Sequence, residues 1–137
     1  MIEIKFRGKD IEKKQWRYGS LIVYPNGACA IVEFDNDGNE LSYDVDPETV
    51  GQFTGLYDKN GKEIYDGDIL LWGENGYKSS MPLVVECKHG AFGYVYVEGN
   101  FHPFSGISSF TFNPFDTDDR FEVIGNIHDN PELLKGR

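Results

Sequence analysis

The sequence predicts a mainly β protein: an N-terminal β-hairpin subdomain over residues 1–50, then a small β-barrel domain over residues 51–137, with helix limited to short turns. Three observations carry this expectation. Sixteen glycines and six prolines in 137 residues punctuate the chain every few positions, which suits many short strands and leaves little room for long helices. Ten Phe and eight Tyr are residues that favour half-buried pleated surfaces. Several separate runs alternate apolar and polar residues with a period of two.

The opening run Ile2-Glu3-Ile4-Lys5-Phe6-Arg7 predicts a strand over residues 2–7, with Ile2, Ile4 and Phe6 facing in and Gly8 ending it. Residues 16–24 predict a second strand, closed by Pro25-Asn26-Gly27, because an Asn-Gly pair tolerates the positive φ of a short hairpin. The return strand covers 28–34, a polar turn covers 35–39, and 40–45 is a further strand. Asp46-Pro47-Glu48-Thr49 predicts one helical turn, with Asp46 as cap and Pro47 at the first helical position. Residues 50–71 read as two tight turns around a short extended segment. Asp58-Lys59-Asn60-Gly61 suits a type I turn followed by a left-handed glycine, and Asp66-Gly67 turns the chain into a strand over 68–72. Strands over 82–88, 92–97 and 121–127 follow, with Leu83, Val85 and Cys87 on one face of the first. Pro131 opens a final helical turn capped by Asp129 or Asn130.

Charge narrows the classes of partner. Twenty-three acidic against thirteen basic residues give a net charge of -10 and a pI near 4.6, which argues against phosphate-backbone binding. The exception is residues 1–17, where Lys5, Arg7, Lys9, Lys13, Lys14 and Arg17 outnumber Glu3, Asp10 and Glu12. The N-terminus lacks the apolar run of a signal peptide and no stretch approaches a membrane span, so the expected location is cytoplasmic. Cys29 and Cys87 sit in apolar strand-like contexts, where a buried free thiol is the ordinary outcome.

No motif supplies catalytic chemistry. Glu33, Asp35, Asp37, Gly38 and Asp44 copy the spacing of a calcium loop, but they fall between strand patterns where such loops need helices, which leaves a solvated turn. His89, His102 and His128 stand far apart, and none has a second ligand at metal spacing. Asp66 and Asp68 form a close carboxylate pair of the kind used in acid–base work, yet the intervening Gly67 favours turn capping. No nucleophile with a base, no Cys-x-x-Cys and no phosphate-cradling glycine loop occurs, so no catalytic residue, cofactor or metal site is assigned.

Residues 45–56 (Val-Asp-Pro-Glu-Thr-Val-Gly-Gln-Phe-Thr-Gly-Leu) and 58–69 (Asp-Lys-Asn-Gly-Lys-Glu-Ile-Tyr-Asp-Gly-Asp-Ile) resemble the signature of the YopX family. So do Ile4-Lys5-Phe6-Arg7-Gly8-Lys9 with Trp16-x-Tyr18-Gly19, and the closing run from Phe121 through Gly125-Asn126-Ile127-His128-Asp129-Asn130 to Leu134, where His128 replaces an expected Tyr. The resemblance implies a phage- or prophage-encoded protein of the bacterial cytoplasm, of uncharacterised function, whose C-terminal part is an SH3-like barrel. It brings no catalytic residue with it.

Two functions are weighed. The favoured one is a non-catalytic module that binds a host or phage protein or forms a homo-oligomer. The alternative is a hydrolytic or modifying enzyme with its site between the N-terminal strands and the barrel. The candidate interaction surface is the irregular run 101–115, where Phe101, His102, Phe104, Phe110, Phe112 and Phe115 crowd among Gly, Ser, Asn and Pro, with Asn113, Asp116 and Asp118 as a polar rim; the alternative is that most of these rings fill the end of the barrel core.

Overall fold

The computed structural model describes residues 3–74, 77–78, 81–88, 91–96, 102–103 and 120–135. The protein is mainly β; the described residues form two antiparallel sheets, and helix among them is limited to two single 3-10 turns. It forms two compact units, Met1–Phe53 and Thr54–Arg137.

The first unit contains β1 (Phe6–Lys9), β2 (Trp16–Val23), β3 (Cys29–Phe34), β4 (Glu40–Val45) and the start of β5 (Gly51–Tyr57), in the sheet order β4-β3-β2-β1-β5. Local chemistry sets its turns. Asn26 Oδ1 accepts the Ala28 N–H at 3.0 Å between β2 and β3, and Asp35 Oδ1 accepts the N–H groups of Asp37 and Asn39 at 2.9 and 2.8 Å between β3 and β4. Asp46 caps the turn Pro47–Thr49 by accepting the Glu48 N–H at 3.0 Å. Cys29, Ile31 and Val45 form the core of this unit, with Phe6, Leu21 and Val50 packed against them.

β5 continues into the second unit, where β6 (Glu63–Tyr65) pairs with it. A second sheet there has the order β11-β10-β9-β7-β12, built from β7 (Asp68–Glu74), β9 (Leu83–Lys88), β10 (Ala91–Tyr96), β11 (His102–Pro103) and β12 (Phe121–Asn126); β8 (Tyr77–Lys78) pairs with β7. Ile64, Leu70, Leu83, Val85 and Phe121 make its buried cluster, with Tyr94 tilted against Phe121 at a ring separation of 5.5 Å.

Four expectations need correction. The first strand begins at Phe6 and runs through Gly8, while Ile4 is 71% exposed; Ile2 lies outside the described residues. Gly8 does not break the strand because it makes room for a neighbour. A Cβ there would stand 2.9 Å from Val45 Cγ2, so the core side chain of β4 occupies the space a larger residue would need. β5 is a seven-residue strand where turn signals suggested only turns around a short segment, since pairing to β1 on one side and β6 on the other outweighs the weak strand preference of its two glycines. Cys87 is exposed, at the end of β9 beyond the buried positions Leu83 and Val85, and both cysteines are free.

Candidate functional site

Of the close carboxylate pair Asp66 and Asp68, Asp68 serves a turn of the second unit. Asp68 is buried, and its Oδ2 accepts the Tyr65 N–H at 2.7 Å, which closes the turn between β6 and β7. Asp58 is 1% exposed. Its Oδ1 accepts the N–H groups of Asn60 and Lys62 at 2.8 and 2.9 Å, and its Oδ2 accepts the Val123 N–H at 2.9 Å. One side chain thus shapes the β5–β6 turn and pins it to β12. Asn126 acts similarly at the other end of β12: Oδ1 accepts the N–H groups of His128 and Asp129 at 3.0 and 2.9 Å. The contribution of position 128 to that turn is a backbone N–H, so His there keeps the same bond.

In the first unit the calcium-like acidic run is a hairpin turn. The Asp35 carboxyl is held below the ordinary carboxylate value of 3.8, first by the Asn39 N–H, and also by the Asn39 amide and the N–H groups of Asp37 and Gly38. Among the described residues no group of three or more His, Cys, Asp or Glu side chains gathers to hold a metal ion.

A charged cluster that sequence reading missed lies beside β4. Asp10 is buried; it accepts the Lys13 N–H through Oδ1 and the Arg17 Nε–H through Oδ2 at 2.8 Å. The Lys13 N–H, then Arg17, then the Lys14 N–H hold the Asp10 carboxyl below 3.8 against the opposing cost of burial. The Arg17 guanidinium also stacks on Tyr43, with Cζ 3.8 Å from the ring centroid. On the other face of β1 and β2, Arg7 is buried with its guanidinium over the Trp16 ring at 4.6 Å, and Lys9 Nζ stands 5.8 Å from the same ring. The basic N-terminal strip is therefore largely folded into aromatic and carboxylate contacts. A groove of about 400 Å³ is lined by Asp10, Ile11, Glu12, Lys13, Arg17 and β4 residues 42–44.

A second surface is apolar. On β2, Tyr18, Ser20 and Ile22 alternate onto one exposed side, and Phe34 at the end of β3 is 63% exposed. Tyr18, Ser20, Val32, Phe34 and Ile4 line an open groove of about 540 Å³, edged by Glu3, Lys5 and Glu33. Alternation in residues 16–24 carried this signal, but it does not say which side of a strand is left uncovered.

The family described as YopX protein matches residues 5–135 of the chain. This chain belongs to the YopX family. Two solved structures share the YopX fold seen here. Protein yopX from Bacillus subtilis is 23% identical, with a TM-score of 0.58 over 98% of this chain and 100% of its own. Protein EF1440 from Enterococcus faecalis is 24% identical, with a TM-score of 0.57 over the same shares. No curated protein matches the chain. The blocks that carried the YopX resemblance contain Asp58, Gly61, Asp68 and Asn126, which the structure shows to be turn and connection residues.

Of the aromatic run expected to form an interaction surface, Phe101, Phe104, Phe110, Phe112 and Phe115 lie outside the described residues. His102 opens β11, opposite Tyr94 of β10. Among the described residues no helix is long and apolar enough to cross a membrane.

Proposed function

We propose that this YopX protein is a non-catalytic protein-binding module, encoded by a phage or prophage and acting in the cytoplasm of the bacterial host, with a small SH3-like barrel in its second unit. The observation that carries the reading is the apolar groove on the outer side of β2 and β3. Exposed aromatic and aliphatic side chains gathered in one place, with charges at the margin, are the usual composition of a protein interface. Tyr18 and Phe34 are the anchors, because aromatic rings contribute most per residue when an interface excludes water from them.

The test is capture of partners from host lysate by the wild type and by Phe34→Ser, with composition read by mass spectrometry and hydrolase turnover assayed on the same preparations. Phe34 is too exposed for its loss to unfold the sheet. The expected result is one stoichiometric partner, recovered at least about tenfold less by the variant. Equal recovery by both proteins, or turnover of a substrate with no partner, overturns the reading.

A further inference from the structure

We infer that the free edge of β4 accepts an extended, lysine- or arginine-bearing segment of a partner protein as an added antiparallel strand. This deepens the binding-module reading and rests on it. β4 ends its sheet, and among the described residues nothing pairs with its outer edge at positions 40–42. The ladder fixes which backbone groups point that way. The Asp44 carbonyl accepts the Ile11 N–H at 2.9 Å, and the Asp46 N–H donates to the Lys9 carbonyl at 2.9 Å, both on the side away from β3. Backbone direction alternates along an antiparallel strand, so the N–H and C=O groups of Ser42 and Glu40 face the same open side. An incoming strand there extends the line begun by the Asp10 to Val45 bridge. The 400 Å³ groove beside residues 42–44 receives its side chains.

Charge decides the occupant. From Tyr18 to Asp58 the sequence carries eight carboxylates and neither lysine nor arginine. At the groove, Arg17 is already bonded to Asp10, and Glu12 and Asp44 line it with Lys13, with Glu40 further along the edge. Sheet edges are commonly protected from pairing by charge. Here the charge is selective. A second copy added antiparallel and centred on Ser42 sets Glu40 against Asp44 twice, and centred on Tyr43 it sets Glu40 against Asp46. Both arrangements oppose like charges. A segment with basic residues four apart on one face meets Glu40 and Asp44 together, which converts the same charges into attraction.

The probe is a synthetic peptide of about nine residues alternating Lys and Thr, titrated by calorimetry, with amide hydrogen exchange read in parallel. The expected result is saturable binding, with exchange protection appearing at the Glu40 and Ser42 amides. Glu40→Lys with Asp44→Lys weakens it at least about tenfold, and a Glu-for-Lys peptide does not bind. Ser42→Pro removes an outward N–H and leaves the bonds to β3 in place, so it abolishes binding while the sheet persists. Independently of any change to the protein, N-methylation of alternate peptide amides abolishes binding in one phase and spares it in the other. No binding at about 1 mM, or equal binding by both methylated peptides, overturns the proposal. A lysate partner lost with Phe34→Ser but retained by Ser42→Pro ends strand addition and leaves the module reading standing. Absence of any partner ends the module reading.

Discussion

Asp58 shows how one buried carboxylate replaces several backbone pairings. Its oxygens accept three N–H groups from two separate parts of the second unit, and nothing else on the side chain reaches solvent. Asp58→Ala leaves those donors without their acceptor and is expected to cost about 3 kcal/mol in urea denaturation. Asp58→Asn spares one oxygen but turns an amide NH2 toward an N–H, so it recovers only part of the loss; full recovery contradicts the assigned pairing. Gly61 has φ +80°, a conformation that L side chains rarely adopt. Gly61→Val is expected to cost about 1–3 kcal/mol, and an unchanged melting temperature refutes the bulged turn. Asp10 and Asp35 both have carboxyls held below 3.8. A folded pKa below the unfolded one adds stability that is complete above the unfolded value and is lost as pH falls through the folded value. The thermal midpoint therefore drops on acidification below about pH 4, and the double variant Asp10→Asn, Asp35→Asn flattens that drop. A profile as steep as the wild type's contradicts the assignment.

At the scale of elements, hairpins were the most legible feature. Asn26-Gly27, residues 35–39 and Asp58-Lys59-Asn60-Gly61 all form the turns that their side chains favour, because Asn and Asp satisfy nearby N–H groups without help from distant residues. Strand β1 was misread for the opposite reason. Gly8 is needed by Val45, which is 37 positions away in sequence, and no local pattern reports that contact. Gly8→Ala is expected to destabilise the first unit by about 1–3 kcal/mol through overpacking. In a Val45→Ala background the methyls that clash are gone, so the cost of Gly8→Ala shrinks. Additive costs in this double-mutant cycle show that Val45 is not what excludes a Cβ. In the second unit, Leu70→Ala opens a cavity in the buried cluster and is expected to cost about 2–5 kcal/mol.

At the scale of the whole molecule, a net charge of -10 keeps the protein dispersed near neutral pH, and the repulsion vanishes near the pI of about 4.6. Light scattering between about pH 3.5 and 7 is expected to peak there. A flat profile indicates that the acidic surface does not govern association. The sequence by itself determined the β class, the hairpin turns at 25–27, 35–39 and 58–61, the family and the lack of a catalytic motif, because each is carried by residues close together in the chain. Only the tertiary structure decided that β5 is a full strand, that Arg7 and Asp10 are buried, and that Tyr18, Ile22 and Phe34 remain exposed beside an acidic sheet edge. Alternation marks two sides of a strand, but which side is covered, and which edge is left open, depends on partners brought together from distant parts of the chain.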